Sequence, residues 1–330
     1  MATGLLPLRL LQIGFEATIL SGAVAATKKV IGRAGVMPQI DWDAEDFPRG
    51  VRMPTDEITA VRRGNEITIE ADLDTEQILW PLSSGLQEGT ITGIGPYVYT
   101  HSLVTAPTLR SLTAEFVVDD NATKHYQREF PACLTREFTI SAERNQMAKL
   151  AWTMFGRAEA TSTVTAGLSA VTRTRIPANL FILYIDATWA GRGVTAKTGT
   201  LRGFTLTVPT GILPDYTLDG RTDYDFVTQA YQLSRPQLVL RANHNANMAT
   251  EIGNWRTGTR RYVQLKATQG AGAAERTLVI DLSLRLVSWT FGDEDGQETV
   301  ESTWEVVYDT TGTQGMQIVV TNGLATLANL

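Results

Sequence analysis

Apolar and polar positions alternate along much of the chain, and this period of two predicts a protein built mainly of β-strands. In residues 278–286, Leu278, Ile280, Leu282, Leu284 and Leu286 fall on one face, with Asp281, Ser283 and Arg285 on the other. Leu112, Ala114, Phe116 and Val118 form a similar inward stripe, as do Leu150, Trp152 and Met154. Residues 145–156 also contain good helix formers, but the alternation and the closing Gly156 favour a strand. A first run of predicted strands reads YVYTHSLV (97–104), LTAEFVVDD (112–120), REFTISAE (136–143) and KLAWTMFG (149–156). A second reads YVQLKATQ (262–269), LVIDLSLRL (278–286), TWEVVYD (303–309) and QIVVTNG (317–323). Tyr97 matches Tyr262, Leu112 matches Leu278, Phe138 matches Trp304 and Gly156 matches Gly323, at separations of 165, 166, 166 and 167 positions. Ordered matches at near-constant spacing predict a duplicated unit.

Upstream of each run lies a strand followed by a helix. Residues 57–61 and 66–71 predict two strands joined by a turn at 62–65 that carries Gly64. Asp74 is placed to cap a helix beginning TEQILWPL, with Gln77 three positions on. Pro81 predicts that this helix is short or kinked, and Ile78, Leu79 and Leu82 form its buried side. In the second half, residues 237–242 predict a strand and 248–255 a short helix. Ile67 matches Leu238 and Ala71 matches Ala242 at a separation of 171, so a loop about six residues shorter accounts for the later separations.

Residues 1–35 read as an extended arm or edge strand, with a short helix at 23–31. Residues 36–56, with three prolines, five acids, Trp42 and Phe47, read as a long ordered loop. Loops of that length are often functional or lie at contacts. Two further strands, 180–187 and 203–208, flank a small, polar, glycine-rich stretch at 190–200 that makes the best linker. The division falls near residue 192, giving one domain at 1–192 and a second at 193–330. Residues 271–275 and the strongly acidic 291–297 read as hairpin tips. Trp42 and Phe47 in the long loop, and Asp293, Glu294 and Asp295 at the acidic tip, are the candidate contacts for assembly.

Composition narrows the function. At 43% hydrophobic and 19% charged, the 330-residue chain can bury a substantial core. A net charge of −6 with scattered Lys and Arg argues against general affinity for nucleic-acid phosphates. The lone Cys133 reads as a small core residue. No apolar stretch reaches the length of a membrane span, and MATGLLPLR lacks the basic start of a secretory signal, so a soluble protein made in a reducing cytoplasm is expected.

Little in the chain looks like chemistry. His101, His125 and His244 have no partner at a metal-ligand spacing and read as surface or hairpin residues. The acids at 41–46 lack the glycine and closing glutamate of a calcium loop. No nucleophile elbow or phosphate-binding loop occurs, and Gly93-Ile-Gly95-Pro96 leads into a strand rather than a helix. No enzyme, cofactor or metal is expected.

The arm IGFEATILSGAVAATKKV, the passage GNEITIEADLDTEQILWPLSSGL and the strand run GPYVYTHSLVTAPTLRSLTAEFVVDDNATKHYQREFPACLTREFTISAE, followed by a related second half, give the chain its resemblance to a family. It resembles the major tail, or tail tube, proteins of long non-contractile-tailed bacteriophages. The resemblance covers most of the first half and, more loosely, the second. It implies two tandem β-sandwich or barrel domains of tail-tube type, each with a short flanking helix, whose inner sheets join into a ring-shaped β-barrel. Stacked rings would form a conduit for DNA ejection in the virion tail, assembled from subunits made in the host cytoplasm. DNA would pass without specific binding, and nothing would insert into a membrane. The partners implied are further copies of the chain, in a trimeric pseudo-hexameric or a hexameric ring, with tape measure, tail terminator and distal tail proteins. A carbohydrate-binding or adhesin-type β-sandwich is the alternative; it requires an exposed aromatic platform, and the chain's seven tryptophans are spread along its length.

Overall fold

The computed structural model describes residues 9–44, 58–103, 107–119, 124–229 and 234–330. About 55% of the protein is strand, with two helices. The first half contains β1 (Leu10–Phe15), β2 (Lys28–Lys29), β3 (Arg33–Ala44), β4 (Ile58–Asp72), α1 (Leu79–Gly85), β5 (Thr90–Thr92), β6 (Tyr97–Ser102), β7 (Leu112–Asp119), β8 (Lys124–Glu143), β9 (Lys149–Gly156) and β10 (Ala160–Thr161). The second contains β11 (Phe181–Asp186), β12 (Leu201–Pro209), β13 (Ile212–Asp215), β14 (Phe226–Gln229), β15 (Gln237–Asn243), α2 (Ala246–Arg256), β16 (Arg261–Gln269), β17 (Arg276–Glu294), β18 (Gln297–Val306) and β19 (Met316–Asn322). All strands but β13 and β14 join one antiparallel network, which forms no closed barrel among the described residues. No helix among the described residues is long and apolar enough to cross a membrane.

The expected strands form, and residues 149–156 are a strand in full. Asp74 does not cap a helix at residue 75 as expected, because α1 begins only at Leu79 and its N-cap, Ile78, makes no side-chain capping bond; Asp74 instead holds the turn ahead of it. Its Oδ1 accepts from the backbone N–H groups of Glu76 and Gln77 at 3.0 and 2.6 Å, while its Oδ2 accepts from Gln77 Nε2 at 2.6 Å. This fixes the turn that enters α1. Pro81 is tolerated because it sits in the first turn, where a backbone N–H has no helical partner. Ile78, Leu79 and Leu82 are fully buried.

Several local expectations are corrected. Residues 36–44 are not a loop but most of β3, which pairs along its length with β4. Its prolines and acids mislead because β3 is an edge strand, where Pro and charge are tolerated. The rest of that predicted loop, residues 45–56, lies outside the described residues. The predicted turn at 62–65 is the interior of the continuous strand β4. The predicted helix at 23–31 is extended instead. Thr27 and Val30 donate backbone hydrogen bonds to Ile13 and Leu11, and a Cβ on Gly14 would lie 2.6 Å from the Ala25 carbonyl. The acidic tip is shorter than expected: β17 runs through Glu294, and the turn is Asp295–Gly296, both at positive φ.

The pairings reveal a repeat, but in a register different from the one expected. In the first half β1 pairs with β7, β3 with β4, β4 with β9, and β8 with β7, β9 and β10. In the second half β11 pairs with β16, β12 with β15, β15 with β18, and β17 with β16, β18 and β19. The six pairings correspond one for one, in the same chain order. Ile67 faces Met154 in the first unit and Leu238 faces Trp304 in the second, at separations of 171 and 150 positions. The entry turns correspond too: Asn245, 171 positions after Asp74, accepts from the N–H groups of Asn247 and Met248, though it caps α2 directly while Asp74 lies a turn ahead of α1. So do the bulges: β8 skips Arg136 against β9, and β17 skips Val287 against β18.

The separation falls from 171 to about 150 because the first unit carries an extra hairpin, β5–β6, between its helix and β7. The counterpart of Met154 is therefore Trp304, and Tyr97 has no counterpart. The second unit so defined begins at β11, upstream of residue 192.

Each unit consists of two sheets that share one long strand. The first half of β8 lies in the sheet with β7, β1 and β10, and its second half in the sheet with β9, β4 and β3. The bulge at the crossing bends the strand, as bulges do. Leu11, Ile13, Ala114 and Phe116 from one sheet meet Ile67, Ile140, Leu150 and Trp152 from the other. One buried cluster continues into the second unit through Phe204, Leu206, Leu265 and Trp304.

Candidate assembly edges

The two units meet strand to strand. β12 of the second pairs with the far half of β8 from the first, from Gly203 opposite Glu143 to Pro209 opposite Glu137. Backbone bonds extend this joint at both ends: Arg144 N–H donates to the Arg202 carbonyl and Thr210 N–H to the Arg136 carbonyl, at 3.1 and 3.0 Å. Phe138, Ile140, Leu206 and Val208 are buried along it. Past the end of β12, the hairpin β13–β14 folds onto the first unit. Ile212 and Tyr224 pack over Ala132, Leu134 and Phe155, and the Tyr224 hydroxyl donates to the Ala132 carbonyl.

The counterparts of these two joined edges have no strand partner, although on β17 the Val287 carbonyl accepts from Trp255 Nε1 at 3.0 Å. Among the described residues β3 pairs only with β4, and residues 285–294 of β17 pair only with β18. By the repeat, β3 corresponds to β12 and β17 to β8. Apolar side chains stand exposed on both: Met37, Ile40 and Trp42 on β3, Val287 and Phe291 on β17. Unpaired strand edges template further pairing.

Four of the five sequence candidates, Trp42, Asp293, Glu294 and Asp295, fall on or beside these edges. Trp42 is 58% exposed near the end of β3. Phe47 lies outside the described residues. Asp293, Glu294 and Asp295 close β17 and its turn, far from Trp42 in the pairing order. Glu294 is held by Arg144, Arg202 and Arg241 at 3.0, 3.3 and 3.1 Å, and Asp295 pairs with Arg144. Desolvation pushes the Glu294 carboxyl up, but the arginines, Arg144 first, outweigh it and hold the group below its ordinary range. Glu294 thus has a structural role as a clamp across several strands. Arg33, Met37, Ile40, Val287 and Phe291 were not singled out from sequence. Alternation shows that such residues share a face, but not whether that face or edge is covered.

Beside the β17 edge, Trp255, Trp289, Phe291 and His244 form a row of edge-to-face contacts, with centroids 6.2, 4.9 and 5.0 Å apart. Three tryptophans, Trp80, Trp152 and Trp304, are core residues. His101 is not a surface residue as expected but is fully buried, because its strand β6 lies between β5 and β19. Burial lowers its pKa to about 4 against the raising effect of the Gln87 carbonyl. His244 lies 2.8 Å from a Glu298 oxygen, while the side chain of His125 lies outside the described residues. Cys133 is buried, and desolvation raises its pKa far above that of a free thiol. Among the described residues no three His, Cys, Asp or Glu side chains gather in a metal-binding group. No protein-family model matches the sequence, and no curated protein matches it.

Proposed function

We propose that this protein is a structural subunit that assembles with copies of itself into rings, and that the rings stack into a tube of the phage-tail type. The observation that carries this reading is the pair of free strand edges, β3 and the far half of β17, at opposite ends of a duplicated unit. A chain that joins its own units edge to edge, and presents the same two kinds of edge outward, is built to propagate the joint. Closure into a ring would satisfy both of these edges. Two units per chain fit a trimeric ring with six units in its wall, in keeping with the tail-tube resemblance; a hexamer of chains is the other closure.

A tube of this kind is a conduit for DNA in the virion tail, and the net charge of −6 favours sliding over retention of phosphates. Tape measure, terminator and distal tail proteins would be its other partners. Negative-stain microscopy of the concentrated protein should show rings or stacked tubes, and ring symmetry separates three chains from six. A protein that stays monomeric at high concentration overturns the proposal.

A second reading has one observation behind it. The row of Trp255, Trp289 and Phe291 is partly exposed and offers an aromatic surface of the sort that binds sugars. A glycan array with specific hits, lost on Trp255→Ala, would favour a carbohydrate-binding module.

A further inference from the structure

We infer that one copy of this chain docks β3 along residues 287–294 of β17 in the next copy, antiparallel and head to tail, in a register dictated by the internal repeat. The inference rests on the self-assembly reading and adds the joint to it. Its source is the joint inside the chain. Gly203 faces Glu143, Thr207 faces Thr139 and Pro209 faces Glu137. Moving β12 to its counterpart β3 is a step of 170 positions, and moving β8 to β17 a step of 151, as the pairings Gly203–Arg241 and Arg33–Glu70 and the two bulges require. The same joint between copies then sets Arg33 opposite Glu294, Met37 opposite Thr290 and Gln39 opposite Ser288. The hydrogen bond from Thr210 N–H to the Arg136 carbonyl becomes one from Ile40 N–H to the Val287 carbonyl.

Two features of the free edges fit this register. Charge is complementary at one end, because Arg33, in a cleft where Arg173 also lies and where Lys149 is paired with Asp72, meets Asp293 and Glu294 at the acidic end of β17. Exposed apolar residues meet each other: Ile40 and Val287, 43% and 45% exposed, become direct neighbours. The contact is heterologous, pairing two different edges, so it can close into a ring and does not stop at a dimer.

Cysteine pairing tests the register at two exposed positions, with the native Cys133 buried. Directly opposed residues place their Cβ atoms about 5 Å apart. Under mild oxidation at assembly concentration, a mixture of Met37→Cys and Thr290→Cys chains should give a covalent dimer, and neither variant alone should. The double variant should give a ladder of covalent multimers. Arg33→Cys with Thr290→Cys, four positions out of register on the same face, should cross-link at least tenfold less. Rings by microscopy without the 37–290 bond overturn this joint and leave ring assembly standing. Neither rings nor cross-links overturns both. A dimer from Met37→Cys alone overturns the head-to-tail arrangement.

Discussion

His101 shows how one buried side chain carries a measurable pH dependence. Its Nδ1 donates to the Gln87 carbonyl at 2.9 Å, and its ring packs on Gly89, where a Cβ would lie 2.7 Å from the imidazole. Its Nε2 has no partner among the described residues, so the neutral ring is the form the site accepts. The native pKa is about 4, below the ordinary 6.5. The unfolded chain therefore takes up this proton at a higher pH than the native protein. The contribution is full above about pH 6.5 and falls as pH drops towards 4, by about 1.4 kcal/mol per pH unit. Urea unfolding at pH 7 and pH 4.5 should show a loss about 2–3 kcal/mol larger for the natural chain than for His101→Gln, where carboxylate effects are shared. Equal losses would refute it. The burial of His101 was not legible in the sequence, because the strand that covers β6, β19, lies more than 200 positions away. The Asp74 turn was legible, because these three bonds lie within three positions, but the start of α1 was not, since the helix begins four residues later than expected.

At the scale of elements, local signals located strands and helices well and their edges poorly. Period-two patterning found β7, β9, β16 and β17 because one face of each is in the core. It missed most of β3, whose partner is its neighbour in the hairpin and whose exposed faces impose no alternation. The two helices are short, so the bonds at their entries matter more than their propensities. Asn245→Ala should cost about 1 kcal/mol, the ordinary value of an N-cap. Asp74→Ala should cost more, about 2–3 kcal/mol, because it strands two buried N–H groups and the Gln77 amide. Burial raises the Asp74 pKa, so the carboxylate is held there against desolvation by its N–H donors. Denaturation midpoints at unchanged slope check both costs. If Asn245→Ala proves the costlier of the two, these bonds do not act as described.

At the scale of the whole molecule, the duplication was legible and its register was not. A period-two strand matches its neighbour almost as well as its true counterpart, so an extra hairpin shifted the later strands by one element while 171 held upstream of it. Pairing settles the register because it is set by partners rather than by pattern. The assembly edges were legible only in part. The acidic end of β17 and Trp42 stood out by composition, while the strands that carry them differ from interior strands only in lacking a partner. This gives a paired prediction for Ile140 and Phe291, separated by 151 positions and equivalent in the repeat. Ile140 is fully buried inside the internal joint, whereas Phe291 is 49% exposed at the free edge. Ile140→Lys places an unpaired charge in the core and should cost about 3 kcal/mol or more, seen as loss of cooperative folding. Phe291→Lys should change the stability of the single chain by only about 1 kcal/mol. It should nonetheless abolish rings, since the next copy's β3 would bury that lysine. Mass photometry with thermal unfolding separates the cases: a folded monomer is expected from Phe291→Lys and an unfolded chain from Ile140→Lys. Rings persisting in Phe291→Lys would mean that this edge stays open in the assembly.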